Sequence, residues 1–157
     1  MMAFVIRYCF CATASLVVLA VLVPHTAFPQ VCKPTEPDML GPFYEPNAPV
    51  RSSVGKGYVV AGIVMSSGDC SSIKEAKIEF WLAGPDGRYG DDYRAKVYSD
   101  KSGAYRFESH VPPPYYGRPP HIHILVTAQG FKTLVTQHYP TRGDTQGKFD
   151  LVLVPEK

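Results

Sequence analysis

Residues 77–82 read Lys-Ile-Glu-Phe-Trp-Leu, so that Ile78, Phe80 and Leu82 alternate with Lys77, Glu79 and Trp81. A period of two is that of an extended strand with one face buried and one in water. Runs of similar character lie on both sides: Tyr58 to Met65, Tyr93 to Tyr98, Ala104 to Ser109, His121 to Ala128, Lys132 to Gln137 and Phe149 to Val154. Turn-forming clusters separate them, among them Ser66-Ser67-Gly68-Asp69, Gly84-Pro85-Asp86-Gly87, Asp100-Lys101-Ser102-Gly103 and Arg142-Gly143-Asp144. No stretch beyond the N-terminal segment carries a 3.6-residue apolar stripe. The pattern predicts an all-β fold, a β-sandwich of about seven to eight short strands over residues 55–157. Residues 28–54, rich in proline and polar side chains and without a period, predict an extended arm lying over that domain.

Charge excludes some function classes. The formal net charge is only +2, from 16 basic and 14 acidic residues, and no block of like charges occurs. Nothing in this pattern suits nucleic acid. Arg7 is the one charge before Lys33, and Ala12 to Val23 is apolar apart from Thr13 and Ser15. Residues 1–27 therefore read as a signal peptide, with an uncleaved N-terminal anchor as the alternative. Either sends the chain out of the cytoplasm, to the periplasm or the medium, and touches membrane only through this segment. With Cys9 and Cys11 inside the signal, Cys32 and Cys70 remain. In an oxidising compartment they form one disulfide between the arm and the first hairpin; the alternative is two free buried thiols.

The chemistry is concentrated in residues 112–126, Pro-Pro-Pro-Tyr-Tyr-Gly-Arg-Pro-Pro-His-Ile-His-Ile-Leu-Val. In a strand, His121 and His123 project from one face with Cα atoms roughly 7 Å apart, a gap imidazoles can close onto one metal ion. Pro119 and Pro120 stiffen the approach to that strand. By itself His-x-His is as compatible with an exposed alternating face as with a metal. Tyr115 lies six residues before His121 in a proline-stiffened loop, and Tyr89 ends Asp-Gly-Arg-Tyr. Two phenols and two imidazoles suit a ferric ion better than zinc or calcium.

Six ordered blocks resemble the intradiol ring-cleavage dioxygenases, the family of protocatechuate 3,4-dioxygenase and catechol 1,2-dioxygenase. They are Leu-Gly-Pro-Phe-Tyr at 40–44, Trp-Leu-Ala-Gly-Pro-Asp-Gly-Arg-Tyr at 81–89, Asp-Lys-Ser-Gly-Ala-Tyr-Arg-Phe at 100–107, Pro-Pro-Pro-Tyr at 112–115, Arg-Pro-Pro-His-Ile-His at 118–123 and Leu-Val-Thr-Gln-His-Tyr at 134–139. The resemblance implies a prealbumin-like sandwich core. It implies Fe(III) held by Tyr89, Tyr115, His121 and His123, and a catechol-type diol and O2 as reactants. It also implies that Arg118 lies at the active site, that Gln137 lies near the substrate, and that Tyr115 gives way to the substrate and takes up a proton. The product would be a muconate-type diacid.

Two departures from the family pattern bear on the pocket. Only Tyr116 and Gly117 separate Tyr115 from Arg118, and the stretch from Tyr89 to Tyr98 is short. A shallower pocket is expected, and neither the particular diol nor the oligomeric state follows from the residues. Two other classes compete with the enzyme: a transthyretin-like secreted binding module without metal, and a zinc or copper hydrolase, which lacks an acid placed as general base beside the histidines. Tyr44 and Trp81 read as packing residues. Tyr139 reads as core or as a neighbour of the site, His110 and His138 as satisfied histidines, and Asp86, Asp91 and Asp92 as turn residues.

Overall fold

The computed structural model describes residues 32–157, so the expected signal segment and the first residues of the arm lie outside the described residues. Eight strands follow in chain order: β1 (Tyr58–Ser66), β2 (Lys77–Trp81), β3 (Arg94–Tyr98), β4 (Ala104–Ser109), β5 (Ile122–Thr127), β6 (Leu134–His138), β7 (Gln146–Lys148) and β8 (Leu151–Leu153). One sheet runs β4-β1-β7, with β8 also paired to β1; the other runs β3-β2-β5-β6. The protein is an all-β sandwich with an extended N-terminal arm.

The core follows from strand alternation. Ile78 and Phe80 of β2, Ile122, Ile124 and Val126 of β5, and Val60, Val64 and Phe107 from the opposite sheet join one fully buried cluster. Phe80 and Phe107 stack across the two sheets with ring centroids 4.2 Å apart. Each such side chain contributes about 1.5–3 kcal/mol by leaving water. The remaining faces of β2 and β5 are therefore free to carry other side chains.

Two sequence expectations need correction. The alternation in β2 predicted an exposed second face, yet Glu79 and Trp81 are both only 2% exposed. The arm covers them. Tyr44 lies edge-on to Trp81 at 5.1 Å and donates its hydroxyl to Glu79 Oε2 at 3.4 Å, while Lys77 Nζ pairs with Glu79 at 3.0 Å. A buried carboxylate is tolerable there because it has partners. The strand expected over Phe149 to Val154 is the shorter β8, and a further strand that the sequence pattern did not predict, β7, precedes it. β7 runs parallel to Val59–Ala61 and β8 parallel to Val64–Ser66. Between them Phe149 and Asp150 bind β1 directly, Phe149 N–H to Ala61 O at 2.9 Å and Ile63 N–H to Asp150 Oδ1 at 3.0 Å. Gly62 permits this approach, since a Cβ there would stand 2.1 Å from the Phe149 carbonyl oxygen.

The arm also closes sheet edges. Lys96 N–H of β3 donates to Pro49 O, and Glu108 N–H of β4 donates to Ser52 O. These backbone groups would otherwise offer a template for another chain. Upstream, Thr35 N–H reaches Val152 O and Asp38 N–H reaches Val135 O. The Cys32–Cys70 disulfide ties the start of the described arm to the turn after β1. Residues 38–45 run between the two edge strands of the β3-β2-β5-β6 sheet, from β6, where Asp38 N–H meets Val135 O, to β3, where Glu45 O accepts from Arg94 Nη1.

His138 is one of the satisfied histidines. Its Nε2 lies 2.6 Å from the Tyr58 hydroxyl and joins β6 to β1. Burial holds its pKa below the ordinary value. The unfolded chain then binds a proton near pH 6.5 that the folded chain refuses, so stability falls as pH drops through 6.5 toward the lower folded value, below which the loss levels off. Denaturation midpoints taken at pH 7 and pH 5 should differ less in His138→Gln, which keeps an acceptor for Tyr58, than in the unaltered chain. An equal difference in both would show that His138 plays no part.

Candidate metal centre

Two loops and one strand converge beneath the crossing arm. The turn after β2 is closed by Gly84 N–H to Arg88 O at 2.7 Å and by Asp86 Oδ1 accepting from Arg88 N–H, and it delivers Tyr89. Tyr115 and Arg118 face each other across a two-residue turn, exchanging N–H···O bonds of 3.1 and 2.9 Å. Both central residues have positive φ, Tyr116 at 45° and Gly117 at 76°, as the tightest hairpin turn requires. The short linker noted in the sequence thus plants Tyr115 and Arg118 side by side. His121 precedes β5, and His123 lies in it directly between Trp81 of β2 and Gln137 of β6.

All of the residues expected at a metal site meet here. Tyr89 Oη lies 3.4 Å from His123 Nε2. The imidazoles of His121 and His123 are 4.8 Å apart between centroids, and the rings of Tyr89 and Tyr115 are 5.7 Å apart. His121 Nδ1 lies 2.8 Å from the Pro119 carbonyl, which can only accept, so Nδ1 carries the proton and Nε2 keeps its lone pair. Tyr89, Tyr115, Tyr116, Arg118 and both histidines line one cavity of about 140 Å3. That is small for a ligand site, in keeping with the trimmed loops. Arg118 Nη2 donates to Gln137 Oε1 at 2.8 Å and to Tyr139 Oη at 2.9 Å.

The electrostatics favour neutral donors when no cation is present. Burial, aided by neighbouring Tyr115, pushes the Tyr89 phenol up to about 12. Burial, His121 and Arg118 push His123 down to about 4. Among the described residues no three of His, Cys, Asp or Glu cluster as metal ligands. The mixed phenol and imidazole set, by contrast, is together.

The arm's share of this site was not read from the sequence. Phe43 stacks on Tyr89 at 4.4 Å and meets Tyr115 edge-on at 5.6 Å. Trp81, expected only to pack, lies flat against His123 at 4.9 Å and 8°. The Met39 carbonyl favours a proton on His123, although His123 Nδ1 makes no hydrogen bond of ordinary geometry. Tyr139 is 40% exposed and bonded to Arg118, hence a neighbour of the site and not core.

No family model matches the chain. Over 149 residues it is 30% identical to the chlorocatechol 1,2-dioxygenase of a Pseudomonas species, covering 73% of this chain and 59% of that protein. Over 145 residues it is 32% identical to the hydroxyquinol 1,2-dioxygenase of Rhodococcus opacus, covering 71% and 48%. The dioxygenase domain of a dioxygenase carbohydrate-binding fusion from Streptomyces sp. SirexAA-E superposes with a TM-score of 0.70 at 27% identity, over 79% of this chain and 100% of that one. The chain belongs to the intradiol ring-cleavage dioxygenase family. An intradiol ring-cleavage dioxygenase from Tetranychus urticae shares the fold, with a TM-score of 0.71 at 17% identity, and is covered over 96% of its length. This intradiol dioxygenase-family chain spans 59% and 48% of the two curated relatives.

One glycine of the arm bears directly on the site of this intradiol family member. Gly41 has φ of +75°, and a Cβ on it would stand 2.9 Å from His123 Cε1. Gly41→Ala should push the imidazole from its place, giving a protein that melts within a few degrees of the parent yet has altered His123 ring signals by NMR. Unchanged ring signals would show that the arm yields instead.

Proposed function

We propose that this chain is a non-haem Fe(III) intradiol dioxygenase. In this reading it cleaves the C–C bond between the two hydroxylated carbons of a catechol-type diol, incorporating both atoms of O2 into a muconate-type diacid. Tyr89, Tyr115, His121 and His123 would hold the ion. The observation that carries the reading is the convergence of two phenols and two imidazoles from separate segments on one cavity beside Arg118. The separation of Tyr89 Oη and His123 Nε2 fits, because two donors each about 2.1 Å from one ion and near right angles lie about 3 Å apart.

Ferric iron, when bound, supplies the Lewis acidity that ionises phenols and diol at neutral pH and the electron demand that opens the ring to dioxygen. The chain's own residues do the rest. His121 is held in the tautomer that presents Nε2, by Pro119. Tyr89 is stacked against Phe43, whereas Tyr115, in the hairpin, would be held as phenolate by the ion and would take one of the diol's two protons on Oη as the diol enters, the other leaving to solvent. Arg118 supplies a permanent positive charge at the cavity wall, where negative charge develops on the ring. Gln137 holds Arg118 Nη2.

The N-terminal segment and the Cys32–Cys70 bond support an exported protein, periplasmic or secreted. The chain reconstituted with iron should take on the reddish colour of tyrosinate-to-iron charge transfer, change colour with catechol under nitrogen, and consume one O2 per catechol in air. A colourless, iron-free protein that takes up no oxygen would overturn the reading and favour a binding module.

A further inference from the structure

Arg118 is aimed by the arm. Its two described hydrogen bonds both leave Nη2, toward Gln137 Oε1 and Tyr139 Oη. Tyr139 has a single hydroxyl proton, and the Asp38 carboxylate accepts it at 2.6 Å, so only a lone pair faces Arg118. Gln137 donates Nε2 to the Met39 carbonyl at 2.7 Å, which turns its Oε1 toward Arg118. Asp38 is itself fixed: its N–H donates to Val135 O at 2.9 Å, and its Oδ1 accepts from Met39 N–H at 2.6 Å. Two consecutive arm residues therefore orient both acceptors, and Nε and Nη1 of Arg118 keep no partner among the described residues.

A competing contact shows what Asp38 prevents. Tyr139 Oη lies 3.1 Å from Gln137 Oε1, the oxygen that Arg118 uses. Without a carboxylate to take its proton, the hydroxyl turns to that oxygen and competes with the guanidinium for it. The carboxylate also sharpens Tyr139 as an acceptor, since hydrogen bonds to ionised groups are the stronger ones.

We propose that Asp38 is a positioning residue: acting through Tyr139, it holds Arg118 Nη2 against the wall so that the other guanidinium donors face the diol. This rests on the role given to Arg118 under Proposed function. Asp38 is not among the residues that line the cavity; its effect is on orientation.

The test compares Asp38→Ala, Asp38→Asn, Tyr139→Phe and the Asp38→Ala/Tyr139→Phe pair in the iron-loaded chain. Asp38→Ala should lower kcat/KM for catechol about tenfold, with iron content and melting temperature unchanged. Asp38→Asn keeps an acceptor for the Tyr139 proton and should recover activity to within about threefold of the parent. The double variant should be no worse than the poorer single one, because both changes break one chain of contacts. Multiplying losses, or a loss that asparagine does not restore, would overturn the proposal in favour of a plain arm anchor. A parent chain without ring cleavage would refute the enzyme reading alone. The orientation is then read from the 15N signal of the Arg118 guanidinium, which should broaden in Asp38→Ala; an unchanged signal would overturn the positioning role.

Discussion

A His121→Ala protein is expected to leave reconstitution without iron, without colour and without oxygen uptake on any catechol. His121 stands just before β5, outside the apolar cluster, so its loss leaves Ile122, Ile124 and Val126 packed as before. What disappears is one of two imidazoles, and the one whose tautomer a backbone carbonyl has already set. The remaining phenols cannot compensate, because burial and Tyr115 keep Tyr89 protonated until pH approaches about 12 unless a firmly held cation lowers it. The measurement is iron per chain after dialysis, alongside the visible spectrum and the melting temperature. Stoichiometric ferric iron in the variant would remove His121 from the ligand set and the proposed centre with it.

Arg118→Met should separate binding of the ion from chemistry on the ring. The substitution keeps a similar apolar stem but removes the one permanent charge that the described residues place on the cavity wall. Iron content and colour should stay near those of the parent, while kcat/KM for catechol falls about 10²–10³-fold, the usual cost of losing one preorganised donor to a developing anion. Arg118→Lys should restore little of this, since an ammonium cannot hold Gln137 and Tyr139 with one nitrogen and present further donors to the cavity. Single-turnover oxygen consumption by iron-loaded proteins provides the comparison. A methionine variant within about threefold of the parent would show that Arg118 is not the residue that stabilises the reacting ring.

The alternation of Ile122 with His121 and His123 was enough to assign opposite faces of one strand, and the structure keeps that assignment: isoleucines in the core, histidines in the cavity. The two-residue linker between Tyr115 and Arg118 was legible, although the hairpin pairing it makes was not. The reading failed where backbone contacts replace side-chain pattern. Gln146–Lys148 has no apolar period because it is an exposed edge strand, held to β1 by main-chain bonds that any residue can make. Asp38, Met39, Gly41 and Phe43 carried no period at all, since an arm of irregular backbone obeys neither helical nor strand spacing. Of these, Gly41 and Phe43 fell in a block singled out for the family resemblance, and Asp38 and Met39 in none.

What local chemistry dictates, the sequence determined alone: strands from alternation, turns from Gly, Asp and Pro, a pair of histidines on one face, and tyrosines in stiff loops. Those signals act between residues close along the chain. Tertiary structure decided which groups face each other across long separations, Asp38 with Tyr139, Trp81 with His123 and Tyr58 with His138. Such pairings depend on how the arm crosses the sandwich and how the sheets register, and no short window of sequence encodes either.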